Sequence, residues 1–512
     1  MMTASPVFSG ASIGGFDERS SGAGPTAIPA LSSLPGAAAT IYLDFNGHSQ
    51  AKPAISGSPA LLTLDSFKVD SPNQADRESA IREIWAQVSE DYAPFNVNVT
   101  TVSPGDLSAA SHNLRVVITD TPDYDPANNI GISTHNSFSN ANLENIAYVF
   151  ARNRADDATN PSRLRPVSII AKVVSHEAGH TFGLDHQSQW NGDTLVKELH
   201  EGDPLTKVGP IMGQPPATFR MVWSNGINKF GNVQDDMAII ASAKNGFGFR
   251  PDEIGTSFAE PEQLTKYDPV FGTLVGSGVI STASDADVFR FDWGGGQAII
   301  GLDVGTAGHI DSPNLDAVME LYRGGPSATL VKREASPVSL GGTIVADLSA
   351  GVYFLKIGSQ GGYGDVGQYR ISVIDNNGPR VTSATTATTG SNVTGIWITF
   401  NKEIDAATFT KSDIVATGVT VLSIAQDNDP WRFFVAITPV SQNASWRLTV
   451  GPDVRDRFGN VMDQNRDGEL GQVNDMYVFN HLGSGGLDPV GGTTPVKKVK
   501  LTPRLADLAF SR

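Results

Sequence analysis

At 512 residues, 40% of them hydrophobic and 18% charged, the chain is too long for a single hydrophobic core and predicts two to four domains. Its 37 Lys and Arg against 54 Asp and Glu leave a net charge of −17, so nucleic-acid phosphates and anionic membranes are excluded as expected partners. No cysteine is present, which rules out disulfides, thiolate metal ligands and a cysteine cap on a latent metal site, and no stretch approaches the ~20 apolar residues of a membrane span.

Residues 1–36, rich in Ser, Gly, Ala and Pro, lack the basic-then-apolar pattern of a secretory signal and read as a disordered lead-in or remnant pro-segment. Order is expected from Thr40-Ile41-Tyr42-Leu43-Asp44-Phe45, an alternating strand closed by Asn46-Gly47. Ile81, Ile84, Trp85, Val88 and Tyr92 recur at helical spacing over 76–92 and are expected in the core. Strands are expected at 96–102, 114–119 and 146–151.

The next stretch decides the chemistry. It runs His176-Glu177-Ala178-Gly179-His180-Thr181-Phe182-Gly183-Leu184-Asp185-His186, a full H-E-x-x-H-x-x-G-x-x-H zinc signature. On a helix, His176 and His180 are four residues apart and share a face. Gly183 tolerates the positive φ that ends a helix sharply, so the chain can turn back and deliver His186. Three neutral nitrogens leave a fourth position on zinc open, the mark of a catalytic site. Glu177, one step round the helix, is expected to reach a zinc-bound water as general base. The apolar run 167–174 before it suits a helix buried behind an active site. His48, His112, His135 and His200 are expected to be ordinary polar or edge residues.

This stretch resembles the active-site helix of the metzincin zinc endopeptidases. The resemblance implies a methionine turn under the metal, and Val208-Gly209-Pro210-Ile211-Met212-Gly213 supplies the candidate, Met212. The tyrosine that some members carry after that turn has no counterpart here. Tyr42-Leu43-Asp44-Phe45-Asn46-Gly47 and Glu90-Asp91-Tyr92-Ala93-Pro94-Phe95 also resemble bacterial secreted metzincins. For 37–249 the implied fold is an α+β metzincin-like catalytic domain with a mixed sheet and an antiparallel edge strand, within 131–150, that pairs with extended substrate. Asn232 is the expected N-cap of a closing helix reaching about 243, with Asp235 and Asp236 in its first turn.

Residues 250–259 read as a linker. From 260 to 376 short alternating segments with Gly turns, such as Asp287-Val288-Phe289-Arg290-Phe291, predict a β-sandwich and resemble the bacterial pre-peptidase C-terminal domain. A second sandwich, 378–482, resembles bacterial Ig-like domains through Gly395-Ile396-Trp397-Ile398-Thr399-Phe400. Within it, Asp463, Asn465, Asp467 and Glu469, followed by Asp475, imitate a calcium loop, although the position expected to hold a bidentate Glu is Asn474. Such a run reads either as a Ca2+ site or as an Asp/Asn/Gly turn. Residues 483–512 are a Gly/Pro linker and a basic tail.

The expectation is therefore a multidomain secreted zinc endopeptidase, with Zn2+ on His176, His180 and His186, protein or peptide substrates, and two sandwiches for cell-surface or matrix attachment. A chain ending near Arg250 is expected to fold and work alone. The rival from another class is an extracellular adhesion or matrix protein whose metzincin domain has lost turnover. A gluzincin-type exopeptidase, which takes a glutamate as third ligand, is disfavoured by His186 at the metzincin spacing.

Overall fold

The computed structural model describes residues 28–483 except 52–60, 72, 109, 122–128, 153–162, 217, 267–272, 306–312, 325–326, 337–338, 376 and 457–458. Most of the expected lead-in and nearly all of the tail fall outside these. The described part of the lead-in runs along the sheet edge. Ser33 N–H donates to Val99 O at 3.0 Å, and Thr101 N–H to Leu31 O at 3.0 Å.

The expected fold class requires correction. Among the described residues the protein is mostly β, 44% strand against 12% helix with three α-helices and several sheets, and they show no α+β metzincin catalytic domain. The reason lies largely after His186. That region forms short hairpins, Gln189–Asn191 with Thr194–Lys197 and Asn225–Ile227 with Val233–Asp235, plus a parallel pair, Val208–Pro210 with Arg220–Val222. The closing helix α3 is only Asp236–Ile240 and its N-cap is Asp235, whose Oδ1 accepts from Ala238 N–H at 2.9 Å. Asn232 cannot cap it, because it belongs to the preceding turn and donates its N–H to Asn228 Oδ1 at 3.0 Å.

Before His186, a five-stranded sheet is ordered Val97–Thr100, Ala39–Asp44, Asn113–Thr119, Ile146–Phe150, Gly131–Ser133. The first four strands are parallel and Gly131–Ser133 pairs antiparallel at one edge. Parallel neighbours need a crossover, and helix α1, Gln74–Asp91, supplies one. Helix α1 and helix α2, Val167–Thr181, cover one face, where Ile41, Leu43, Val97, Val99, Leu114 and Val116 are buried. The hairpin His48–Ala51 with Leu61–Leu64 covers the other, over Val117, Tyr148 and Phe150. Aromatic rings join the helices to the later segments: Tyr92 meets Trp223 at 5.3 Å and Phe182 at 5.8 Å between centroids.

Two five-stranded antiparallel-rich sheets follow, with one core between them that includes Phe291, Ile300, Leu321, Tyr353 and Ile371. Alternation drives this packing: in Gly367–Asp375, Gly367, Tyr369, Ile371 and Val373 are buried and the residues between them are not, as a strand with one face on a core requires. A four-stranded and a three-stranded sheet then share a third core around Ile398, Phe433, Leu448 and Val450.

The segment expected as a linker is hydrogen-bonded to both neighbouring units: Arg250 N–H donates to Pro94 O at 2.8 Å, and Val288 N–H to Gly255 O at 3.2 Å. The second unit also packs on the first. Val366 belongs to the first core, and Arg220 pairs with Asp365 at 2.6 Å.

Candidate metal centre

Helix α2 carries His176 and His180 one turn apart, with ring centroids 4.8 Å from each other. The helix stops at Phe182. Gly183 follows at φ 105°, and Leu184 N–H donates back to Gly179 O at 3.1 Å. The sharp reversal brings the His186 ring to 4.9 Å from His180 and 5.3 Å from His176. One ring nitrogen from each histidine lies within 4.8 Å of the others.

The second ring nitrogens explain which ones converge. His176 Nδ1 lies 2.8 Å from Ile211 O, His180 Nδ1 2.7 Å from Leu184 O, and His186 Nδ1 3.1 Å from Glu198 Oε1. Each acceptor draws the proton to Nδ1, which leaves the Nε2 lone pairs for a metal. Burial, the largest cause, pushes His176 down to about 4 and His180 and His186 below their ordinary value, so all three stay neutral near pH 7.

Met212 is fully buried beneath this group. It fits because Gly179 has no side chain: a Cβ there would stand 2.6 Å from the Met212 sulfur. Gln187 N–H donates to Met212 O at 2.8 Å, which ties the chain after His186 to the same turn.

Glu177 is 6% exposed and burial lifts its carboxyl to about 7. Ser133 Oγ, on the edge strand Gly131–Ser133, donates to Glu177 Oε2 at 2.6 Å. Gly131 leaves room for it, since a Cβ there would lie 2.5 Å from Glu177 Oε1.

Every residue named from the sequence for this centre is thus brought together. The four other histidines weighed from the sequence sit elsewhere or in a lesser role. His48 packs on Tyr148, His112 on Phe138, and His200 Nδ1 accepts from Gly202 N–H. His135 is nearer, its ring 6.5 Å from that of His180 and its Nε2 3.6 Å from Asp185 Oδ1.

Two supporting residues, Ser133 and Glu198, escaped the sequence. Asp236 was expected in the first turn of the closing helix and is there, with a further part to play. Its fully buried carboxylate accepts from Gln187 Nε2 at 2.8 Å, Gln234 Nε2 at 3.0 Å and Ser224 N–H at 2.9 Å, which fixes the residue after His186. A Ser or Glu on a polar segment gives no signal until the fold brings it near.

Away from this centre, Asp463, Asp467 and Asp475 come together, as do Asp252, Asp285 and Asp287. Asn465 and Glu469 share the first loop, where Asn465 Nδ2 donates to Asp467 Oδ2 at 2.9 Å and Glu469 accepts from Gln472 Nε2.

No protein-family model and no curated protein matches the chain. Solved structures do. The chain is similar to a periplasmic inhibitor of g-type lysozyme from Aeromonas hydrophila, with 13% identity over 22% of this chain and 94% of that one, at TM-score 0.17. The Salmonella Typhimurium inhibitor gives 19% identity over 22% and 98%, at TM-score 0.16. The pre-peptidase C-terminal domain of a Bacillus anthracis collagenase gives 15% over 24% and 97%, at TM-score 0.17. Of the expected resemblances, only that domain has a counterpart, and the likeness is a weak structural one.

Proposed function

We propose that the chain is a zinc-dependent endopeptidase acting on extracellular proteins. The observation that carries this reading is the convergence of three Nδ1-anchored imidazoles beside a buried glutamate. The donor set fits zinc, since neutral imidazole nitrogens are among its preferred ligands and three of them leave a position for substrate. When bound on His176, His180 and His186, zinc supplies a Lewis acid that polarises a carbonyl and acidifies water.

The chain's own residues do the rest. Glu177, raised to about 7, is poised to take a proton from water and return it to a leaving amine near neutral pH. Ser133 Oγ holds the carboxylate in place during that exchange. The strand Gly131–Ser133, which bears Ser133, is the last in its sheet, and its outer edge can pair with an extended peptide. The later sandwiches would hold the enzyme to a surface or matrix and raise local substrate concentration.

The test is direct. The full chain, loaded with zinc, should retain one zinc per chain after dialysis and cleave casein, and a chelator should abolish cleavage until zinc is returned. Stoichiometric zinc with no cleavage of any protein substrate would favour the adhesion reading, and no zinc at all would end the peptidase reading.

A further inference from the structure

The loop from Asp463 to Asp475 lies far along the chain from the histidines and closes the third unit. We propose that it binds one calcium ion, held by the carboxylates of Asp463, Asp467 and Asp475, which stiffens the junction where the third unit begins. This does not depend on the peptidase reading.

Oxygen-bearing residues alternate at Asp463, Asn465 and Asp467, and Gly468 at φ 81° allows the sharp turn after them. An EF-hand loop would take its closing carboxylate from the twelfth position, here Asn474. The structure offers another residue. A 3-10 turn, Val473–Asp475, buries Asp475 completely and presents it in place of Asn474. One carboxylate oxygen from each of Asp463, Asp467 and Asp475 then lies within 4.8 Å of the others.

A second observation separates this loop from an ordinary turn. Asp463 is 2% exposed, and its Oδ1 is buried with no hydrogen-bond partner. Its neighbours are satisfied: Asp467 Oδ1 accepts from Glu469 N–H at 2.8 Å, and Asp475 Oδ2 from Gln472 N–H at 2.9 Å. The Asp463 carboxylate accepts from the backbone of Arg466 and Gly468, yet its Oδ1 has no donor, and a buried oxygen left so in a group of three carboxylates is costly unless a cation completes it. Among the described residues no ion pair joins the three to a Lys or Arg; Arg380 adds only a longer-range attraction. Burial, then Asp475 and Asp467, lift the Asp463 carboxyl to about 6, as expected of negative groups crowded without a counter-ion. An all-oxygen set suits calcium rather than zinc.

The loop is also bonded to the start of its unit. Asp463 N–H donates to Pro379 O at 3.1 Å, and Gln464 Oε1 accepts from Val381 N–H at 2.8 Å. Holding Asp463 therefore holds the entry strand that follows the second unit.

Calcium chloride titrated calorimetrically into the zinc-loaded, calcium-stripped full chain tests this, with Asp463→Asn and Asp467→Asn in parallel. Asp467 is exposed, so its variant folds even if the buried substitution does not. Calcium taken up by other acidic groups is common to all three proteins. Wild type should bind one calcium more than either variant, or bind it at least about tenfold more tightly. Calcium should slow proteolysis within 463–475 in wild type only, and without calcium Asp463→Asn should melt no lower than wild type. Equal calcium binding by wild type and Asp467→Asn would overturn the proposal, as would a wild-type chain whose proteolysis in this loop ignores calcium.

Discussion

The side-chain amide of Asn314 donates to Asp91 Oδ1 at 2.8 Å, while the other oxygen of that carboxylate accepts from Ser175 Oγ at 2.5 Å. Ser175 immediately precedes His176, so two hydrogen bonds link the second unit to the residue before this histidine. Glu90, beside Asp91, is held the same way: Asn314 N–H and Gln368 N–H donate to it at 3.3 and 3.0 Å. Both carboxyls are buried at the end of α1, and half or more of their donors come from residues beyond 300.

Cutting the chain near Arg250 should therefore fail to give a stable domain, contrary to the sequence expectation. Losing the partner of one buried polar group costs about 1–3 kcal/mol, and here several donors go together. Asn314→Ala in the full chain should lower the melting temperature and weaken zinc retention, measured by calorimetry and metal analysis. A piece ending at 250 that melts as high as the intact chain would refute the coupling.

The convergence of the three histidines was legible because it is set locally. His176 and His180 need only a helix, Gly183 only a turn, and Met212 a Gly-flanked bend 26 residues beyond His186 in the same unit. Asn314 and Asp91 are 223 residues apart, and no periodicity connects them. The fold class failed for a related reason. Three-residue strands such as Val208–Pro210 and Asn225–Ile227 are too short to show alternation, so the segment read as loop. The acidic loop was half legible: its alternating oxygens are in the sequence, but only the 3-10 turn reveals that Asp475 closes it.

Stability of the metal-free chain should fall between pH 6.5 and 8. Burial, the largest cause, raises Glu90 to about 8 and Asp236 to about 7, so the folded state holds protons that the unfolded chain has already released. With more protons bound in the native state, unfolding free energy decreases as pH rises, by roughly 1 kcal/mol per carboxyl across this window. The buried histidines act oppositely, but His176, lowered to about 4, contributes only below the ordinary histidine value. Denaturant midpoints in a chelator should decrease from pH 6.5 to 8; a rise would contradict the assignment.

Gly179→Ala should destabilise the protein even though alanine favours helix by up to about 1 kcal/mol. The new Cβ would meet the Met212 sulfur at 2.6 Å and Leu184 Cδ1 at 3.3 Å in a filled core, where overpacking costs about 1–3 kcal/mol. Zinc affinity should weaken, and Met212→Ala in the same chain should recover part of the loss. A double-mutant cycle with no coupling would show that Met212 is not the obstacle.

Glu198→Ala should weaken zinc binding about tenfold and leave turnover at saturating zinc nearly unchanged. Glu198 accepts from His186 Nδ1 at 3.1 Å and pairs with Lys229 at 3.1 Å, so it orients the imidazole without meeting substrate. Glu198→Gln retains an acceptor and should restore most of the affinity. Competition with a zinc chelator measures both; an unaltered constant for the alanine variant would remove Glu198 from the centre.

Glu177→Gln is the most direct test of the peptidase assignment, because it keeps the side chain's shape and its bond from Ser133 while removing the base. Zinc content and peptide hydrolysis should be measured on the same preparation. One zinc per chain, an unchanged melting curve and hydrolysis reduced by about 10²–10⁴-fold are expected. Hydrolysis near the wild-type rate with zinc still bound would contradict the role of Glu177 and, with it, the proposed chemistry.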